Sequence, residues 1–134
     1  MANINVTVIY DPSNGNWSLT GDSVNGTTIE VNDRGANPIR WSIGLPQDAS
    51  GSIAFDPSTG IDFTSDIPSG DEPNGNANNW NWNLNNTLAS NSPAVNYEYV
   101  VNAWYTPSGG TAQAKQWDPD VEENPPAQIA LKAK

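Results

Sequence analysis

The stretch Asn76–Asn86 reads NANNWNWNLNN. Trp80, Trp82 and Leu84 stand at every second position, with Asn81, Asn83 and Asn85 between them. A two-residue period is the pattern of a β-strand with one face in a core and the other in water. Each indole offers about 150–250 Å² for burial. At roughly 25 cal/mol per Å² that is an upper bound of several kcal/mol per side chain. The stretch is therefore expected to turn its tryptophans inward and its asparagines outward. An exposed aromatic platform is the alternative.

The same period recurs on both sides of this segment. Ile4, Val6, Val8 and Tyr10 share one parity against Asn3, Asn5 and Thr7. Ile29 and Val31 oppose Thr28 and Glu30, and Ile39, Trp41, Ile43 and Leu45 oppose Arg40, Ser42 and Gly44. Tyr97, Tyr99, Val101 and Ala103 oppose Glu98, Val100, Asn102 and Trp104. Turn-forming clusters such as DPSNGN, GDSVNG, DPSTG and TPSGG separate these runs about every ten residues, the spacing of an all-β sandwich or barrel. The reading is one all-β domain over 1–134, a single antiparallel immunoglobulin-like β-sandwich of seven to eight strands. The strands are expected near 3–10, 16–20, 27–32, 38–45, 51–55, 80–86, 95–105 and 112–118. A long loop region at about 56–79 caps one end, with Ile61, Phe63 and Ile67 pinning it to the core. A C-terminal tail at 121–134 is left open between an edge strand, a short helix and a frayed end.

Three aromatic-Asp-Pro steps punctuate the chain: Tyr10-Asp11-Pro12, Phe55-Asp56-Pro57 and Trp117-Asp118-Pro119. In each, the aromatic ends a strand, Asp accepts hydrogen bonds from the amides that follow, and Pro fixes φ. All three are expected to be strand terminators.

The inventory removes much chemistry. Among 134 residues there is no cysteine and no histidine, so disulfides, thiolate nucleophiles, His-dependent triads and the usual zinc sites are excluded. Five Lys plus Arg against fifteen Asp plus Glu give a net charge of −10, which opposes nucleic acid and anionic membranes as partners. No apolar run has the length of a membrane span, so no membrane insertion is expected. The opening MANINVTVIY has no basic region, long apolar run or cleavage site. The expected location is cytoplasmic, or secreted without a recognisable signal peptide.

Any metal would need oxygen ligands, which points to calcium or magnesium; no cofactor is the first expectation, with calcium the candidate. Asp118, Asp120 and Glu122 are the candidate ligands. An EF-hand loop beginning at Asp118 needs Gly and Glu where Glu123 and Ile129 stand, so that motif fails. Asp62, Asp66, Asp71 and Glu72 are a second acidic group without a motif. For ligand binding, Trp17, Trp104 and Trp117 are the candidates. Trp17 follows a turn, and Trp104 lies on the parity opposite its strand's core face.

The segment Leu88–Ala103, LASNSPAVNYEYVVNA, resembles the late strand of fibronectin type III and related immunoglobulin-like domains: a leucine before a turn, then alternating Tyr-x-Tyr-x-Val-x-Ala. The resemblance implies an immunoglobulin-like fold and a Tyr97 hydroxyl tied back to the preceding corner. The Trp117–Val121 segment followed by Pro125 is similar to small bacterial sandwich proteins without an assigned activity. The functional expectation is a non-catalytic binding or structural-interaction module, through protein partners or self-association. The alternative is a small lectin or carbohydrate-binding module, and the third reading is a carboxylate-dependent hydrolase.

Overall fold

A computed structural model describes residues 3–67 and 72–126. These residues form strands and turns and no helix. In chain order the strands are β1 (Ile4–Asp11), β2 (Asn16–Gly21), β3 (Val24–Asn25), β4 (Thr28–Val31), β5 (Gly35–Gly44) and β6 (Ser52–Phe55). They continue with β7 (Ile61–Phe63), β8 (Asn74–Gly75), β9 (Asn79–Asn86), β10 (Val95–Thr106), β11 (Gln113–Trp117) and β12 (Asp120–Glu123). The first sheet runs β2-β1-β5-β9-β8. The second runs β11-β10-β12-β4-β3, with β6 and β7 also paired to β10. Eight of these elements fall where the alternating segments predict them. The short β3, β7, β8 and β12 do not announce themselves, because two to four residues carry almost no period.

The sheets are mixed rather than purely antiparallel. β1 pairs with β5 in parallel, and β12 pairs with β4 in parallel. A parallel pair needs a crossover connection. Here the crossover from β1 to β5 passes through β3 and β4 of the opposite sheet. Side-chain alternation is the same for either strand direction, so the expectation of an antiparallel sandwich had no means of detecting this.

The first of these crossings is a tight corner. The chain leaves β2 at Gly21, with φ 127°, and enters β3 after Ser23, with φ 59°. Ser23 is the only non-glycine residue with positive φ among the described residues. The Asp22 amide donates to the Asn5 carbonyl at 3.0 Å, and the Glu30 amide donates to the Ser23 carbonyl at 2.8 Å.

The opening question resolves inward. Trp80, Trp82 and Leu84 are buried and alternate with exposed Asn81, Asn83 and Asn85. Trp80 pairs in register with Trp41 and Trp82 with Ile39. Inner residues from both sheets form one cluster that includes Val8, Ile29, Trp41, Phe55, Trp82 and Tyr99. Trp41 Nε1 donates to the Tyr99 hydroxyl at 3.0 Å across the sheets. Phe63 from the long loop region packs on Trp82 at 4.4 Å and on Tyr99 at 5.4 Å, so that region is pinned as expected. Trp80 lies against Gly60, where a Cβ would sit 2.4 Å from the indole nitrogen.

The tail begins later than expected. Val121 is fully buried, and β12 lies between β10 and β4 rather than at an edge. Residues 127–134 lie outside the described residues. Trp117 ends β11 as expected, but the chain rejoins β10 as β12 at Asp120. β11 and β12 run along the same side of β10 in one register, and the Tyr99 amide donates to the Pro119 carbonyl between them at 3.2 Å. Pro119 has no amide to return, so the ladder breaks there and resumes in the same register at Asp120.

Tyr97 also departs from the tyrosine-corner expectation. Its hydroxyl donates to Glu123 Oε1 at 2.9 Å in a buried contact. Burial, followed by the bond to Glu123 and the negative charge there, pushes its pKa up from 10.0 to about 12. Burial pushes Tyr99 up as well, with the charge of Asp120 adding to it. The folded state therefore favours protonated phenols. Stability from this source is fully present below the ordinary tyrosine pKa of about 10. It is lost as pH rises through the folded value of about 12 for Tyr97. Urea unfolding by circular dichroism is expected to show a midpoint that falls steeply from pH 10 to 12, with a shallower fall in Tyr97→Phe. An unchanged slope in that variant would remove Tyr97 as the titrating group.

Candidate functional site

The site is built from one turn and the middle of β10. Phe55-Asp56-Pro57-Ser58-Thr59-Gly60 separates β6 from β7. Asp56 Oδ1 accepts from the Ser58 amide at 2.8 Å and the Thr59 amide at 3.1 Å. This is the Asx turn that the sequence predicts. Asp11 makes the equivalent bond to the Ser13 amide at 3.0 Å. Asn102 of β10 clamps the Asp56 turn from beside it. Its amide donates to the Gly60 carbonyl at 2.9 Å, and its carbonyl accepts from the Asp56 amide at 2.8 Å. Its side-chain Nδ2 donates to the Thr59 carbonyl at 2.8 Å.

Two residues along the same face stands Trp104. It is 41% exposed and is the only exposed large hydrophobic side chain among the described residues. Its indole Nε1 donates to Asp56 Oδ2 at 3.1 Å. The Ser58 amide first, then the Trp104 indole, hold the Asp56 carboxyl below its ordinary value. The turn thus fixes the carboxylate, and the carboxylate fixes the ring. Across the ladder Trp104 faces Ala54 on β6 and Ala114 on β11, so methyl groups flank the indole on both sides. Gln116 Nε2 donates to Asn102 Oδ1 at 2.7 Å, extending the polar row to the next strand. Asp56, Thr59, Asn102, Trp104, Ala114 and Gln116 line an open hollow of about 260 Å³.

The other two tryptophans proposed for ligand binding go elsewhere. Trp17 and Trp117 stack on each other at 5.7 Å with planes 6° apart. Both are half-buried and packed against the core. Tyr10 joins them at 4.7 Å from Trp17 and stands 5.5 Å from Tyr105. This ladder closes the edge between β2 of one sheet and β11 of the other. Trp104 points to the opposite side of the second sheet and does not join it.

Neither a protein-family model nor a curated protein matches this chain.

The acidic candidates also separate. Asp118 is exposed, while Asp120 accepts from Thr28 Oγ1 at 2.6 Å and from Asn96 Nδ2. Glu122 stands in register beside Glu30. No group of three or more acidic side chains is arranged to hold a metal among the described residues. Of the second acidic group, Asp71 lies outside the described residues. No helix among them is long and apolar enough to cross a membrane.

Sequence reasoning found Trp104 by parity alone but missed Asp56, Asn102 and Gln116 as its neighbours. The Asp-Pro-Ser signal for the turn was legible. What placed it beside Trp104 is the register Trp104↔Ala54, set two residues before Asp56.

Proposed function

We propose that the protein is a non-catalytic binding module whose contact surface is the outer face of the second sheet around Trp104. One observation carries the reading: a large aromatic side chain is left in water and held there in one orientation by Asp56. An indole that served only stability would gain by burial. A ring fixed in advance loses little conformational freedom on meeting a partner, which is how aromatic anchors contribute to affinity. The inventory without His or Cys speaks for recognition rather than catalysis.

Contact through this aromatic patch is better supported than contact through sheet edges. β3 and β8 are two residues long, and the β6–β7 edge is broken by the Asp56 turn. Of the remaining edges, β2 and β11 flank the Trp17–Trp117 stack, and residues 82–86 of β9 extend past the two-residue β8. Short, broken or covered edges discourage strand addition. The immunoglobulin-like description rests on the Leu88–Ala103 segment and carries no activity with it.

Binding of labelled protein to a combined peptide and glycan array tests this reading. Any ligand held by the wild type is expected to be lost in Trp104→Ala, with self-association followed in parallel by light scattering. Ligands retained undiminished by Trp104→Ala would refute the proposed surface.

A further inference from the structure

The geometry points to a neutral pyranose, presented by an oligosaccharide, as the ligand of the Trp104 hollow. This inference rests on the binding-module reading. A sugar ring has a face of C–H groups and a rim of hydroxyls. It needs a flat apolar surface with planar polar groups beside it. The hollow supplies both. The ladder neighbours of Trp104 are the small residues Ala54 and Ala114. Larger cross-strand neighbours, common in sheets, would cover it.

The polar rim is fixed before any ligand arrives. Asn102 is held by Gly60, Asp56 and Thr59, and Gln116 is held by Asn102. Only the Nε2 side of the Gln116 amide makes a hydrogen bond among the described residues. Its Oε1 acceptor and second N–H have no partner among the described residues, and Gln116 lines the hollow. An adjacent donor and acceptor in one plane match a pair of neighbouring hydroxyls. Asp56 Oδ2 accepts from the Trp104 indole and, as a carboxylate oxygen, has more than one lone pair.

Size and charge narrow the ligand further. The hollow of about 260 Å³ is open and below the ~300–1,000 Å³ that encloses a drug-sized molecule. It suits a ring resting on a surface. It has no deep apolar hole of the kind that anchors a protein side chain. The chain carries a net charge of −10, and Glu98 and Asp120 lie further along the same sheet face. Lys115 also lines the hollow, but its Nζ sits over the Tyr10 ring, 5.7 Å from the centroid. With the net charge at −10, carboxylated or sulfated sugars are disfavoured and the ligand is read as uncharged.

Indole N–H resonances of ¹⁵N-labelled protein give the test. The chain has six tryptophans, and Trp104→Phe assigns the relevant peak by its disappearance. Cellohexaose, mannohexaose and a linear galactan hexamer are titrated to millimolar concentration, with trigalacturonate as the acidic control. The expected result is a saturable shift of the Trp104 peak with at least one neutral oligosaccharide and none with the control. Trp104→Ala is expected to weaken that binding about tenfold or more, and Gln116→Ala about fivefold. Trp104→Phe, which keeps an aromatic face, retains part of the affinity. Thermal melts confirm that each variant is folded. The inference is overturned if no neutral oligosaccharide moves the Trp104 peak saturably, or if trigalacturonate binds as well. A peptide or second copy that shifts the Trp104 peak while the sugars do not would end the saccharide assignment and leave the binding module standing.

Discussion

Trp41→Ala is expected to lower the free energy of unfolding by about 3–5 kcal/mol, as removal of a buried large aromatic does. Trp41 is fully buried in β5, the middle strand of the first sheet. Its ring meets Tyr99 edge-on at 5.4 Å, and its indole N–H reaches the Tyr99 hydroxyl at 3.0 Å. The substitution therefore leaves a cavity between the sheets and a buried hydroxyl without its donor. Domains of this size have about 5–15 kcal/mol in total, so the substitution removes a large share of the stability. Urea denaturation followed by tryptophan fluorescence measures the loss. Tyr99→Phe separates the two contributions. It keeps the packing, leaves the Trp41 indole N–H without an acceptor, and is expected to lose about 1–3 kcal/mol. A loss in Trp41→Ala no larger than that of a surface substitution would contradict the central place given to this contact.

Gly21→Ala is the second change with a large expected effect, about 2–5 kcal/mol of stability from backbone strain and overpacking together. The reason is geometric. A Cβ at Gly21 would lie 2.3 Å from the Asn5 carbonyl oxygen and 2.8 Å from the Val6 Cα, both backbone atoms of the neighbouring strand. The φ of 127° is itself a conformation that side chains rarely adopt. Relief requires either β2 to move away from β1 or the corner into β3 to open. Gly15→Ala is the control. Gly15 also has positive φ, at 75°, but nothing lies within 4 Å of its Cβ position. Its loss is expected to be the smaller by a wide margin, as thermal melts of the two variants would show. Equal losses would mean that φ alone, and not the closeness of Asn5, sets the cost.

These two positions illustrate what the sequence could and could not disclose. Trp41 is legible as core because its neighbours at two-residue spacing are apolar. The same logic placed Trp80 and Trp82 inside and Trp104 outside. Gly21 is one glycine among eleven in a turn-rich chain, and only coordinates reveal which of them touches another strand. Strand direction was hidden for a related reason: alternation reports faces and is blind to whether a neighbour runs up or down. The parallel pairing of β12 with β4 joins Asp120 to Thr28, residues far apart in the chain, by a register that no local pattern encodes. The candidate site was half legible. An exposed indole follows from parity, whereas the carboxylate that steers it belongs to a distant turn brought in by the pairing of β6 with β10.

The two outer faces of the sandwich differ in a way that governs how the molecule behaves near charged solids. On the first sheet the outward positions Asn5, Thr7, Arg40, Ser42, Asn81 and Asn83 are uncharged or cationic, and Asp11 at the end of β1 is the carboxylate on that parity. On the second, Glu30, Asp62, Glu98, Asp120 and Glu122 lie outward. Carboxylates are thus more numerous on the second outer face than on the first among the described strands. An aminated bead or sensor chip would adsorb the protein with the second sheet downward, shielding Trp104 from anything in the liquid. A support without cationic groups would leave that ring open to solution.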